Sequence, residues 1–234
     1  MGVGRFNVTW KSAVSTGYVY DDLDNPSKPT KGFRGKGTLE IAGLGGDVYY
    51  ASIDTSAYYF MPLFFEGVVL KLEANAGYMQ PLTSDDIPIQ DRFFKGSDTF
   101  RGFERGGVGP RMDNTRGDSD AIGGQTYAIG TVETTFPLGL PDEFGLEGAV
   151  FSDFGTVFGA PEESLTAGSK LCPVGDPGET KCEVHDTADF RLSVGAGIIW
   201  QSPFGPLRVD VAYPLLKADY DEEELFRFSV GTRF

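Results

Sequence analysis

Apolar and polar residues alternate with a period of two through most of the chain, and no other feature restricts its fold so strongly. Phe226, Phe228, Val230, Thr232 and Phe234 fall on one face of a strand whose other face carries Arg227, Ser229, Gly231 and Arg233. Leu207, Val209, Val211 and Tyr213 alternate in the same way with Arg208, Asp210 and Ala212. Leu192, Val194, Ala196, Ile198 and Trp200 stand against Arg191, Ser193, Gly195 and Gly197. Leu70, Leu72, Ala74, Ala76 and Tyr78 stand against Lys71, Glu73, Asn75 and Gly77, and Phe6, Val8 and Trp10 against Arg5, Asn7, Thr9 and Lys11. With turn residues between the runs, the pattern predicts nine strands, at about 4–20, 33–42, 47–61, 67–79, 124–136, 144–157, 190–201, 206–214 and 225–234. No strong helical stretch and no domain boundary interrupts them.

A soluble β-sandwich alternates too, but it turns its apolar faces inward over a tight core. Here the second face carries Arg, Lys, Glu, Asp, Asn and many of the 32 glycines, which suits a wet lumen better than a packed interior. The apolar face ends in aromatics (Trp10, Tyr18, Tyr20, Tyr58, Tyr59, Trp200, Tyr213), as at the interfacial girdles of membrane barrels. Strands of about 10 residues cross a bilayer when tilted. Connection lengths agree. A loop of about 44 residues at 80–123 and another near 158–189 alternate with short turns at 62–66, 137–143 and 202–206. The chain is therefore expected to be all-β, a transmembrane antiparallel up-and-down β-barrel wall. The longest apolar run, Tyr58 to Phe65, spans eight residues and contains Pro62, far short of the ~20 that a membrane helix needs.

Composition removes other classes. With 20 basic and 34 acidic side chains the formal charge is −14, which argues against nucleic acid as a partner. One histidine, His185, leaves little room for a Ser/His or Cys/His catalytic arrangement or a histidine metal site. The start reads as strand, so no signal peptide is expected within it. Cys172 and Cys182, an even pair in a Gly-, Pro- and Glu-rich loop, favour a disulfide in an oxidising compartment, with two free surface thiols as the other reading.

Arg92-Phe-Phe-Lys-Gly-Ser-Asp-Thr-Phe-Arg-Gly-Phe103, followed by Gly107-Val-Gly-Pro-Arg111, resembles the arginine-glycine-phenylalanine loop of BamA-type outer-membrane assembly factors, within the bacterial surface antigen superfamily. Other motifs follow in that family's order. They are Asp24-Asn-Pro26 with Pro29-Thr-Lys-Gly32, Ala42-Gly-Leu-Gly-Gly-Asp47, Phe151-Ser-Asp-Phe-Gly-Thr-Val157, Ser202-Pro-Phe-Gly-Pro-Leu207 and the terminal Phe226 to Phe234. The resemblance implies a barrel of about sixteen strands, of which these nine match the last nine. Residues 1–234 are then expected to be the C-terminal portion of an outer-membrane barrel domain, with periplasmic domains and the first barrel strands outside them.

The resemblance also assigns roles. In the loop motif Phe100, Arg101, Gly102 and Phe103, the arginine is expected to reach into the barrel and pair with wall residues at Glu133, Phe151 and Asp153. Parity supports this: Asp153 shares a face with Phe151 and Gly155, and Glu133 lies opposite Val132 and Thr134. The last strand (Phe226, Phe228, Val230, Gly231, Phe234) is expected to carry a targeting signal and one edge of a lateral gate. The implied activity is insertion of β-barrel proteins into the bacterial outer membrane, without enzyme chemistry, cofactor or metal. Implied partners are outer-membrane lipids and lipopolysaccharide, unfolded barrel clients, accessory lipoproteins and periplasmic chaperones. An autotransporter-assembly or two-partner secretion pore is the rival within the superfamily, and a passive diffusion porin the rival outside it. Gly43 to Gly46 lacks the helix a dinucleotide site needs, and the acidic runs at 118–120 and 219–224 lack calcium-loop spacing.

Overall fold

The computed structural model describes residues 10–84, 86–113, 119–141, 144–160, 184–202 and 205–231. Nine strands follow one another in chain order across one sheet. They are β1 (Ala13–Asp21), β2 (Gly32–Ala42), β3 (Tyr50–Pro62), β4 (Val69–Pro81), β5 (Thr126–Pro137), β6 (Leu146–Phe158), β7 (Arg191–Ser202), β8 (Gly205–Leu216) and β9 (Phe226–Val230). Each neighbouring pair is antiparallel, from Tyr18 opposite Gly37 to Val209 opposite Phe228. A 3₁₀ turn lies at Ile89–Asp91.

The period of two sorts the sheet into two faces. Leu39, Ile53, Tyr59, Leu72, Val132, Val150, Val194, Ile198 and Val209 are exposed on the outer face. A continuous apolar face of this extent is a lipid-facing surface, since water-soluble monomers rarely show one. The inner face carries Ser56, Lys71, Glu73, Asn75, Thr131, Glu133, Asp153 and Arg208, which line a cavity of about 750 Å³. The sheet curls far enough for Arg208 on β8 to reach Glu133 on β5, with two strands between them, at 2.7 Å.

Boundaries differ from the sequence reading at both ends. The ladder of β1 begins at Ala13 opposite Ala42, the last residue of β2. At Gly43 (φ +124°) the chain turns away, so residues 10–12 bond a loop instead. Gly43 N–H donates to the Ser12 carbonyl at 2.9 Å and Asp47 N–H to the Trp10 carbonyl at 2.7 Å. Residues 4–9 lie outside the described residues. β9 stops at Val230, before Gly231 (φ +102°), and Phe234 lies outside the described residues, as do Cys172 and Cys182. Tyr58, expected on the apolar face, points into the lumen, with the Lys71 ammonium 5.8 Å from its ring. It follows Ala57 and precedes Tyr59 in a run with no polar residue, where composition cannot say which parity faces water.

The connection 22–31 is organised by one carboxylate. Asp24 Oδ1 accepts the Thr30 and Lys31 amides at 2.9 and 3.1 Å, and Oδ2 accepts the Thr30 hydroxyl at 2.5 Å. The hydroxyl and amide bonds from Thr30 hold the Asp24 pKa at about 2, below its ordinary 3.8. A depressed carboxyl stabilises the ordered form fully above its unfolded pKa and loses that contribution as pH falls through the folded value. The Thr30 and Lys31 amide resonances are therefore expected to titrate near pH 2. Titration at the ordinary carboxyl value would show that the turn does not depend on these bonds.

Candidate functional site

In its described residues, the connection between β4 and β5 lies against the inner face of the sheet, where it packs on Tyr127, Ile129 and Val157 and bonds Asp153. Two bridges make it a folded lid: Phe93 exchanges both backbone bonds with Gly124, and Lys95 pairs with Val108. Gly96 (φ +130°) brings its backbone so close to the Glu104 carbonyl that a Cβ has no room. Here only glycine fits. Ser97 N–H donates to the Phe103 carbonyl at 2.7 Å and Thr99 N–H to the Gly96 carbonyl at 3.0 Å, which closes a tight loop with Arg101 at its tip.

Phe100 and Phe103 flank that tip and are fully buried, edge to face, with ring centroids 5.0 Å apart. They pack with Val108 of the lid and with Tyr127, Ile129 and Val157 of the wall. Burying each ring contributes roughly 1.5–3 kcal/mol toward docking. The lid is thus seated by an apolar contact on either side of its charged tip.

Arg101 enters a polar niche. Its Nε and Nη2 donate to the two oxygens of Asp153, each at 2.7 Å, and its own backbone N–H donates to Asp153 Oδ2 at 2.9 Å. Nη1 reaches Glu133 Oε2 at 2.5 Å. The guanidinium carbon lies 3.4 Å from the centre of the Phe151 ring, a stacked cation–π arrangement. Burial alone would lower the Arg101 pKa, but the Asp153 bonds and the charges of Asp153 and Glu133 outweigh it and raise it above the ordinary value. A fork of fixed donors matches two carboxylates as an ammonium could not.

The structure thus brings together the lid residues Phe100, Arg101, Gly102 and Phe103 with Glu133, Phe151 and Asp153, all expected from the sequence. It adds residues that sequence reasoning missed. Arg208 donates to both oxygens of Glu133, at 2.9 and 2.7 Å, and to both oxygens of Asp210. Thr131 donates its hydroxyl to Asp153 Oδ1 at 2.8 Å. Their parity was readable, but nothing in a linear pattern says which strands face each other across a lumen. A second buried arginine, Arg191, pairs with Asp221 at 2.9 Å, both side chains fully enclosed, and so fastens the 217–225 connection to the start of β7. Phe226, Phe228 and Val230 are exposed on the outer face of β9, and Gly231 follows in open space. Among the described residues no group of three or more His, Cys, Asp or Glu is arranged to hold a metal ion.

Glycines on β7 make room for the niche. A Cβ at Gly195 would overlap the Phe151 ring and the Val211 carbonyl, and one at Gly197 would overlap the Asp210 carboxylate. Gly195→Ala is therefore expected to displace the ring on which Arg101 lies, destabilising the folded protein by about 1–3 kcal/mol. Denaturant unfolding in detergent micelles measures this, and an unchanged midpoint would contradict the packing described.

The sequence matches the model of the Omp85 superfamily domain over residues 4–234. It is 34% identical, over 95% of this chain and 27% of the relative, to the outer membrane protein assembly factor BamA of Neorickettsia risticii (strain Illinois). To the BamA of Neisseria meningitidis serogroup B it is 28% identical over 96% of this chain and 29% of that relative. The chain thus spans less than a third of the length of either relative. The crystal structure of BamA from Haemophilus ducreyi lacking POTRA domains 1–3 superposes with a TM-score of 0.74 at 26% identity, covering 92% of this chain and 41% of that one.

Proposed function

Because the chain belongs to the Omp85 superfamily, we propose that it forms part of a machine that folds and inserts β-barrel proteins into the bacterial outer membrane. It resides in that membrane, its apolar outer row against lipid. The observation that carries the reading is the docked lid: a long connection fastened inside the lumen by Arg101 on Glu133 and Asp153. Ordering a segment of this length costs conformational entropy, and a wall alone would not need it. Clients would be unfolded barrel proteins, assisted by accessory lipoproteins and periplasmic chaperones, with lipid and lipopolysaccharide as the surroundings.

No covalent step is required. A strand edge in a bilayer holds backbone donors and acceptors that find no water, so an incoming client strand that pairs with it gains hydrogen bonds that neither partner makes alone. β9, the last strand of the described sheet, is the edge expected to offer this pairing. The intact protein reconstituted in proteoliposomes should accelerate the folding of an unfolded barrel client over empty liposomes. Steady ion-selective conductance with no acceleration would favour a diffusion porin and overturn the proposal.

A further inference from the structure

The last strand is shared between the wall and the lid. Among the described residues β9 is in register with β8 from Phe226 opposite Val211 to Val230 opposite Leu207; the Ala212 N–H reaches the Leu225 carbonyl at 2.9 Å and the Gly231 N–H the Pro206 carbonyl at 2.8 Å. Above that point the chain leaves the wall. Glu223 and Glu224 pair antiparallel with Phe103 and Gly102, the two residues that follow the docked arginine.

Glu222 is held by the lid through its backbone and its side chain. Its N–H donates to the Gly107 carbonyl at 3.1 Å, its carbonyl accepts the Glu104 N–H at 2.9 Å, and its carboxylate accepts Arg111 Nη2 at 2.6 Å. Arg111 is itself buried and donates to the Gly106 carbonyl, so this cation is fixed to the lid. Lower down, Arg227 on the lumen face of β9 bonds Ser97 and pairs with Asp98, which lie in the lid loop just before the motif.

We infer that Glu222 and Arg227 latch the last strand to the lid, so that docking of the lid and closure of the β9 edge are one coupled equilibrium. In the described residues the ladder of β9 against β8 is five residues long, and the lid adds contacts that the wall does not supply. A lid seated by Arg101 holds residues 222–224 and Arg227 in place; a lid released from the lumen takes these contacts with it and frees the strand. Coupling between two such positions is reciprocal, so a client strand that displaces β9 would also loosen the lid. Arg227 and Glu222 are positioning residues in this scheme, acting through the strand edge. The inference deepens the proposed insertion role and rests on it for its purpose, but not for its test.

Hydrogen exchange of backbone amides in the intact protein, in lipid bilayers, reads the latch directly. In the double variant Arg227→Ala, Glu222→Ala the amides of residues 226–230 should exchange at least tenfold faster while those of β6 stay unchanged. The charge swap Asp98→Arg with Arg227→Asp should restore protection. If the double variant fails to insert, Arg227→Gln alone is expected to show the same change in smaller degree. Faster exchange confined to the lid, with β9 protection unaltered, would overturn the latch, as would failure of the charge swap to restore it. Client folding in the same samples separates the two readings. A loosened β9 with normal insertion leaves the latch standing and counts against the gate, and impaired insertion with a protected β9 does the reverse.

Discussion

Arg101→Ala in the intact protein is expected to abolish most client assembly while leaving the protein's own abundance close to normal. The substitution removes three side-chain hydrogen bonds and the stack on Phe151. It leaves Asp153 with the residue-101 backbone N–H and Thr131, and Glu133 with Arg208. Removing one partner of a buried ion pair costs about 3–5 kcal/mol. The remaining partners put the expected loss of docking near the lower figure, about a hundredfold in the docked population. The wall strands keep their ladders, so the barrel should still form. Arg101→Lys should recover only a minor part of the activity, because an ammonium cannot serve both Asp153 oxygens and Glu133 together. Assembly yield of a reporter barrel, read beside the abundance of the variant itself, checks this. Wild-type yield with alanine would remove the lid from the mechanism.

Glu133→Gln is expected to cost at least as much, and to destabilise the barrel as well as the lid. The Glu133 side chain is almost wholly enclosed and lies between two guanidiniums, Arg101 and Arg208. Neutralising it leaves two cations in a buried niche, with Asp153 and Asp210 as the remaining anions. The cost, again about 3–5 kcal/mol, should be partly relieved by Arg208→Met, which removes the surplus positive charge. Residues within one network are not additive, so the relief is the informative number. Denaturant unfolding reports the wall and tryptic cleavage after Arg101 reports the lid. A double variant no better than Glu133→Gln alone would show that the two arginines do not share the carboxylate.

Nine strands, their order and their two faces were legible because a sheet that separates lipid from water must alternate. Fastening points were legible only where a motif marked them. Arg101 stands in a recognisable loop, and Glu133 and Asp153 lie on the lumen parity of their strands. Arg208 shares that parity with many polar residues and gains its importance from the curl of the sheet, which sequence spacing does not express. The same holds for Glu223 and Glu224: they read as part of an acidic solvated connection, yet their backbone forms a ribbon with Phe103 and Gly102. Backbone pairing of two-residue segments leaves no periodic trace. Tyr58 was misplaced because an all-apolar run gives no parity.

Whether this sheet is a membrane wall with a wet interior is tested most directly by nitroxide spin labels placed one at a time along β8 in the intact protein in bilayers. Labels at Leu207, Val209, Val211 and Tyr213 should be relaxed by oxygen dissolved in lipid, and labels at Arg208, Asp210 and Ala212 by a water-soluble or lumen-confined agent, or shielded from both by the lid. A strict alternation of this kind is the predicted result. Equal access of the water-soluble agent to the Val209 and Val211 labels would contradict the account, because residues on a lipid-facing row cannot be bathed in water.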